Sequence, residues 1–520
     1  MPQRRNVPTL CNLSLRMLGQ LIIDYGKCIV HSMNILSSID SRNSQSLLYS
    51  CLNELKNYLC SSIPWHLYDR VALEILKAIS DYINKSENDY NEKLMSEVNI
   101  AVNLTRVIVH PNLKKIELNA WPKIMRDTLY DSLIDMTGLE VLDLGSGSVG
   151  WTTSNTERII LISTSRMNNL ISFTLCFDCT DNIIASLSQN CPKLQKLDVT
   201  ASRSVTDKSI SYLLKCSLLT EINLLSTSVT PPGYANLLLN HKCLENIGRY
   251  DELGIAFEYI QNNWPYNNIN RTFKLRAFEC RNVSQNQLHL ISEMCPRIAS
   301  ICIMKHNRIN DLSIISAFTD LRELKLLSCD FYDNRLKKLL EVIGCNIASL
   351  QLEHVGELDL SALIYISQYC PNLQTLTFYN CEFSSFTRER FTKLEVPPFK
   401  HLERLKCVAD CAETHLEFIL SHSVNVKSIH LGSSTGIHDS TLKRIFVANQ
   451  MKKLEELKIL YSTDLSMGAV HLLMQNCENL RRLSELESWD GVSPQELKAF
   501  RERISINNME LDTSPTLSLA

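Results

Sequence analysis

Apolar residues follow two different periods along this chain, and the change comes near residue 110. Leu10, Leu13, Met17, Leu18 and Leu21 recur at intervals of three and four, the spacing of one helix face. So do Leu47, Leu48, Cys51, Leu52, Leu55 and Leu59, then Leu67, Val71, Ile75, Leu76 and Ile79. A fourth segment, Leu94–Val107, is richer in β-branched residues and is also read as helix. No glycine stands between Gly26 and Gly138, so nothing punctuates these helices with a strained turn. Residues 1–110 are therefore expected to be an all-α region. From Leu113 onward the apolar residues fall into a short motif, L-x-x-L-x-L, that comes back again and again.

Clear copies include Leu113-Ile116-Leu118, Leu170-Phe173-Leu175, Leu194-Leu197-Val199, Leu321-Leu324-Leu326, Ile347-Leu350-Leu352 and Leu454-Leu457-Ile459. Leu480-Leu483-Leu486 is slipped by one residue, and Leu244 and Leu275 open degraded copies. Fifteen starts between 113 and 480 give a spacing of about 26 residues, within the window of leucine-rich repeats. One such unit supplies a short strand and a helical return, and it cannot bury its apolar face until neighbours stack on it. Return helices are read at Asp181–Ser188, Asp207–Leu214, Asp333–Val342 and Asp439–Phe446, where an aspartate at the start suits the cap and the helix dipole. Cys191-Pro192, Cys295-Pro296 and Cys370-Pro371 place a proline that stops the preceding helix beside a cysteine small enough for the corner, with Cys477 alone at the matching place. With Cys329 and Cys381 after their strands, the array resembles the cysteine-containing subclass of leucine-rich repeats. The fold class this implies is α/β: a leucine-rich-repeat solenoid or horseshoe over 111–490, with parallel strands on its concave face, helices on its convex face and an all-α N-terminal cap. Residues 491–520 read as a capping helix opened by Pro494, with a frayed tail from Asp512. Residues 246–272 make a longer unit whose aromatics, Tyr250, Phe257, Tyr259, Trp264 and Tyr266, are a second candidate contact surface.

Composition narrows the function without choosing it. The 520 residues are 45% hydrophobic and 21% charged, which suits a globular chain, and the net charge of −3 gives no reason to expect nucleic acid. Nineteen cysteines in this length fall well short of a disulfide scaffold. Asn12, Ser14, Arg16 and Gln20 break the apolar run at 7–23, so it does not read as a leader, and no run is long enough for a membrane helix. Reduced thiols in the cytoplasm or nucleus are the expectation.

Two motifs suggest chemistry. Gly145-Ser146-Gly147-Ser148-Val149-Gly150 follows the strand-like Val141–Leu144 and spells G-x-G-x-x-G, the pattern of dinucleotide and S-adenosylmethionine sites. Such a site also needs a carboxylate closing the next strand to hold the ribose. The next β-like run, Ile159–Ile162, ends in Ser163-Thr164-Ser165 instead, and a repeat turn needs glycine in any case. A methyltransferase is thus the remote alternative. Cys176/Cys179 and Cys407/Cys411 have metal-like spacing but lack the second pair that a four-ligand zinc site requires. The chain is read as a binding protein with no catalytic residue, cofactor or metal.

The head carries the more specific signal. Thr9-Leu10-Cys11-Asn12-Leu13-Ser14-Leu15-Arg16-Met17-Leu18 resembles the elongin-binding box, with Ser14 where the box has cysteine. Ile63-Pro64-Trp65-His66-Leu67, followed by Leu73, Ile75 and Leu76, resembles the opening of F-box and cullin-box helices. Box, then proline-led helix, then repeats is an order similar to the ZYG/ZER and F-box/leucine-rich-repeat receptors of cullin-RING ubiquitin ligases. The resemblance implies an adaptor, either elongin or the F-box adaptor, docked on Leu10, Leu13, Ser14, Ile63, Pro64 and Leu67, with a cullin beyond it and a protein substrate on the repeats. An interaction scaffold with no ligase link is the alternative, in which the same leucines would form the core of a helical cap.

Period-two alternation points one residue of each strand outward. That position holds Glu117, Asp143, Thr174, Asp198, Asn223 and Glu279, then Lys325, Gln351, Thr377, Lys406, His430 and Lys458. The row runs from acidic to basic, so the expected partner is a polypeptide segment charged the opposite way.

Overall fold

The computed structural model describes the chain except for residues 1, 5–8, 38–40, 87–91, 146–152, 264–271, 305–308, 310, 333–335, 386–395, 434 and 517–520. Contacts divide it into two compact units, Val7–Arg249 and Tyr250–Ala520, the second also taking in Met1–Asn6.

The first unit opens with four helices, α1 (Leu10–Ser37), α2 (Ser41–Ser62), α3 (Tyr68–Ser86) and α4 (Glu92–Ile108). Leu15, Ile22, Ile23 and Val30 of α1 are buried with Val71, Ile75 and Ile79 of α3 and Leu104 of α4. Gly19 lets α1 approach α3 closely, since a Cβ there would stand 3.1 Å from the Glu74 carbonyl oxygen. Strands and returns then alternate: β1 (Lys115–Glu117), α5 (Arg126–Ser132), β2 (Val141–Asp143), α6 (Thr153–Thr164), β3 (Ser172–Thr174), α7 (Asp181–Asn190), β4 (Lys196–Asp198), α8 (Lys208–Leu213), β5 (Glu221–Asn223) and α9 (Pro231–Asn240). The five strands form one parallel sheet in sequence order. Its register aligns Ile116, Leu142, Phe173, Leu197 and Ile222, all fully buried.

The second unit continues with α10 (Leu253–Asn263), β6 (Ala277–Cys280), α11 (Gln285–Met294), β7 (Ser300–Met304), β8 (Glu323–Leu327), α12 (Leu336–Ile343), β9 (Ser349–Glu353), α13 (Leu360–Tyr369), β10 (Thr375–Glu382), β11 (Arg404–Asp410) and α14 (Glu413–His422). It closes with β12 (Ser428–Leu431), α15 (Asp439–Ala448), β13 (Glu456–Ile459), β14 (Ser462–Ser466), α16 (Met467–Asn476), β15 (Arg482–Ser484), β16 (Trp489–Gly491) and α17 (Pro494–Ile506). Strands β6 to β13 and β15 make a nine-stranded parallel sheet, and β14 pairs with β16 apart from it. Parallel strands joined in order by helical returns, each strand presenting its apolar residues to those returns, are the leucine-rich-repeat fold.

Several local expectations change. Ile159–Ile162, read as β-like, lies inside α6, because the repeat needs a return helix there and context overrides β-branched propensity. Leu244 yields no strand, and Asn246 makes an isolated bridge to Glu221, whereas the copy opened by Leu275 makes the regular strand β6. The slip at Leu486 has a backbone cause: Glu485 takes a left-handed conformation, φ 70°, and turns the chain directly after β15.

Aspartates at the helix starts do not cap their own helices as expected. Thr180 caps α7, and the Asp181 carboxylate instead accepts the Thr206 amide (2.9 Å) and the Thr206 and Ser209 hydroxyls of the following repeat. Asp207 accepts the amide and hydroxyl of Thr230 in the same way, as Asp439 does those of Ser466. These bonds tie one repeat to the next, while Asp333 lies outside the described residues.

Cysteines take the corners as read. Cys191, Cys295, Cys370 and Cys477 end α7, α11, α13 and α16 and are buried. Burial pushes the thiols of Cys191, Cys370 and Cys477 up to about 12, so they stay protonated and unreactive near neutrality.

At the C-terminal end, Ser493 and Glu496 form a reciprocal capping box on α17, with Pro494 in its first turn. Of the tail expected from Asp512, residues 512–516 are described and 517–520 lie outside the described residues. Asp512 makes a parallel bridge to Arg482, its carbonyl accepting the Leu483 amide and its amide donating to the Arg481 carbonyl, so it extends the exposed edge of β15. Among the described residues no helix is long and apolar enough to cross a membrane.

Candidate protein-binding surfaces

Thr9 accepts the Asn12 amide on its hydroxyl (3.2 Å) and so starts α1 at the first residue of the box-like motif. From there α1 shows two apolar faces. Leu15, Ile22, Ile23 and Val30 turn inward, whereas Leu10 (80% exposed), Leu13, Met17 (66%) and Leu21 (60%) turn to solvent. Residues 10, 13, 17 and 21 share one helical stripe, roughly opposite the core stripe at 15, 19, 22 and 26. Leu10 and Leu13 of the box thus lie outside the core of the cap while Leu15 belongs to it, and Ser14 is exposed among them.

The second motif divides. Pro64 is exposed, Trp65 is 66% exposed, and Ile63 and Leu67 are half-buried, all in the turn that leads into α3. Ile75 and Leu76, which complete the resemblance, face the helical core and are closed to a partner. Arg70 at the start of α3 donates to the Asn12 side chain (2.8 Å), joining the first turns of α1 and α3.

The positions of that row line up in register within each sheet. Glu117, Asp143, Thr174, Asp198 and Asn223 are register partners in the first sheet. Glu279, Lys325, Gln351, Thr377, Lys406, His430 and Lys458 are partners in the second, where Cys302 fills the place between Glu279 and Lys325 that the sequence reading passed over. Several of these side chains already have work in the fold. Asp143 accepts the Gly145 amide (2.8 Å), Asp198 the Thr200 amide (3.0 Å) and Asn223 the Leu225 amide (3.2 Å), each shaping the turn after its strand. Glu117 pairs with Lys115, and Lys325 pairs with Glu353.

At the basic end, Lys458 is mostly covered. It pairs with Glu485 (3.5 Å) and donates to Thr516, whose amide and hydroxyl in turn bond Glu485. His430 sits between Lys406 and Lys458, and burial together with those two cations holds its imidazole below the usual range, keeping it neutral. Lys406 is exposed and makes no ion pair among the described residues, so it is the row's available cation.

Of the aromatic unit, Tyr250 and Phe257 are buried, and Phe257 meets Phe273 edge-on at 5.7 Å, so they pack on the array. Trp264 and Tyr266 lie outside the described residues. The strand β2 before the glycine motif is a repeat strand in register with β1 and β3, and Gly145 adopts the left-handed turn conformation, φ 54°. Residues 146–150 of that motif lie outside the described residues.

These features define a leucine-rich-repeat protein of the protein-interaction kind. No family model matches the chain. It is similar to F-box/LRR-repeat protein 4 of Bos taurus, 25% identical over 153 residues, and spans 23% of that relative's length and 28% of its own. Among solved structures it is similar to the Rad7 and Elc1 complex in yeast, at 13% identity and TM-score 0.42, covering 81% of this chain and 94% of that one. It is also similar to an LRR protein of Leptospira interrogans (14%, TM-score 0.33, covering 74% and 91%) and to an internalin of Listeria monocytogenes (16%, TM-score 0.27, covering 68% and 83%).

Proposed function

We propose that this protein is a substrate-recognition subunit of a cullin-RING ubiquitin ligase, with an adaptor held by α1 and a polypeptide substrate held on a repeat sheet. The observation that carries the reading is the solvent-facing stripe of Leu10, Leu13, Met17 and Leu21 on a helix whose opposite face supplies the core. Four large apolar side chains in water are costly to leave uncovered, and a helix offering them at this spacing is the form that groove-bearing partners accept. The position of Leu10, Leu13 and Met17 on the box-like motif favours an elongin-type adaptor. The F-box adaptor is the second reading, favoured by the exposed Pro64 and Trp65 and by the name of the bovine relative.

The full chain is mixed with purified elongin adaptor or F-box adaptor, and binding is measured by calorimetry. Elongin adaptor is expected to bind, and Leu10→Asp with Met17→Asp is expected to abolish binding while the circular dichroism and melting temperature stay unchanged, because neither residue contributes to the core. Binding of neither adaptor would leave an interaction scaffold.

A further inference from the structure

The segment after α17 is bound as an extended strap. Met509–Asp512 bridges Arg4 and the β15 edge, Leu511 and Thr513 are buried, and Thr516 reaches the Lys458–Glu485 pair of the outward row. Within the strap, Ser514 is exposed, its side chain hydrogen-bonds the Asp512 carboxylate, and it stands directly before Pro515 in non-helical backbone. It also lines an open cavity of about 450 Å³ with Arg481, Arg501, Asp512 and Thr513. Arg501 is held in place by the Thr513 carbonyl (2.7 Å), the Thr513 hydroxyl (3.1 Å) and Glu487. Arg481 is exposed and carries no ion pair among the described residues.

We infer that Ser514 is a phosphorylation site for a proline-directed kinase, and that the phosphate is received by Arg481 and Arg501, locking the strap over the Lys458 end of the row. Extended backbone with proline next in sequence is the form such a kinase requires. The Ser514 hydroxyl oxygen attacks the γ-phosphorus of ATP and forms the new P–O bond. The bond to the β-phosphate oxygen breaks, ADP leaves, and the hydroxyl proton passes to the kinase's base. Phosphate facing two guanidinium groups gains charge-assisted, bidentate hydrogen bonds and orders the segment that carries it. Glu510 and Asp512 oppose this, and phosphorylation removes the Ser514 hydroxyl bond to Asp512, but that carboxylate keeps the Ser514 amide (3.0 Å) and Arg482 (3.5 Å), and Arg481 offers the phosphate a guanidinium that no carboxylate among the described residues holds. The consequence is a closed row: the strap occupies the site that a substrate segment would otherwise use, which rests on the concave-row reading above.

The full chain is treated with a proline-directed serine/threonine kinase and ATP, the site is mapped by mass spectrometry with Ser514→Ala as control, and hydrogen exchange is followed at the Thr516 amide. Phosphorylation is expected to slow that exchange by about tenfold or more and to reduce acylation of Lys458. In Arg481→Ala both effects should vanish although the phosphate is present. Absence of phosphate on Ser514, or exchange that is unchanged or faster after phosphorylation, overturns the proposal. All readouts are local to the strap, so a failure of adaptor or substrate binding leaves them unaffected.

Discussion

At Asp181 one carboxylate satisfies an amide and two hydroxyls of the next repeat. Burial alone would raise its pKa, but the hydrogen bonds from Ser209 and Thr206 outweigh that and hold it below 3.8. A depressed carboxylate stabilises the fold above its unfolded pKa, and the contribution is lost as pH falls through the folded value. Asp181→Ala leaves the Thr206 and Ser209 donors without their acceptor and should cost about 1–3 kcal/mol at pH 7. Urea unfolding followed at pH 7 and pH 2.5 checks this: the gap between the two proteins should shrink on the acid side. An equal gap at both values would mean that the carboxylate's charge plays no part. The sequence shows an aspartate at the helix start, and local rules assign it to the cap. Its partner lies 25 residues away, at a distance only repeat stacking brings within reach.

Among the elements, α1 and the second sheet show how a surface is set by what its neighbours use. Helical spacing marks all the leucines of α1 as apolar, yet the inward set is decided by the approach of α3 at Gly19. The sheet row follows directly from period two, but availability along it does not. Lys458 is taken by Glu485 and Thr516, so reversing its charge would set two carboxylates together and disturb the fold as well as any partner. Lys406→Glu is the cleaner probe. It should weaken capture of an acidic peptide by about tenfold or more at low salt, with less effect at high salt, and leave thermal unfolding unchanged. Fluorescence anisotropy with a labelled acidic peptide measures it, and salt-independent binding equal to wild type would remove the row from consideration.

For the molecule as a whole, the open end of the nine-stranded sheet is closed by chain that carries no repeat motif. Leu497, Phe500 and Ile504 of α17 and Leu511 of the strap are buried there, each side chain worth about 1.5–3 kcal/mol when fully removed from water. Deleting residues 493–520 should therefore lower the unfolding midpoint and the soluble yield, since a repeat array needs a covered end. Differential scanning fluorimetry of the two proteins decides it, and an unchanged midpoint would show that β15 is a sufficient end by itself. Sequence alone determined the repeat, its period, the buried and outward positions of most strands, the cysteine corners and the helical head, because each follows from a local period or a single residue's geometry. Tertiary structure decided which apolar face of α1 is left to a partner, which outward charges are already paired, and that the tail lies bound on the sheet edge, because those depend on residues brought together from repeats far apart in the chain.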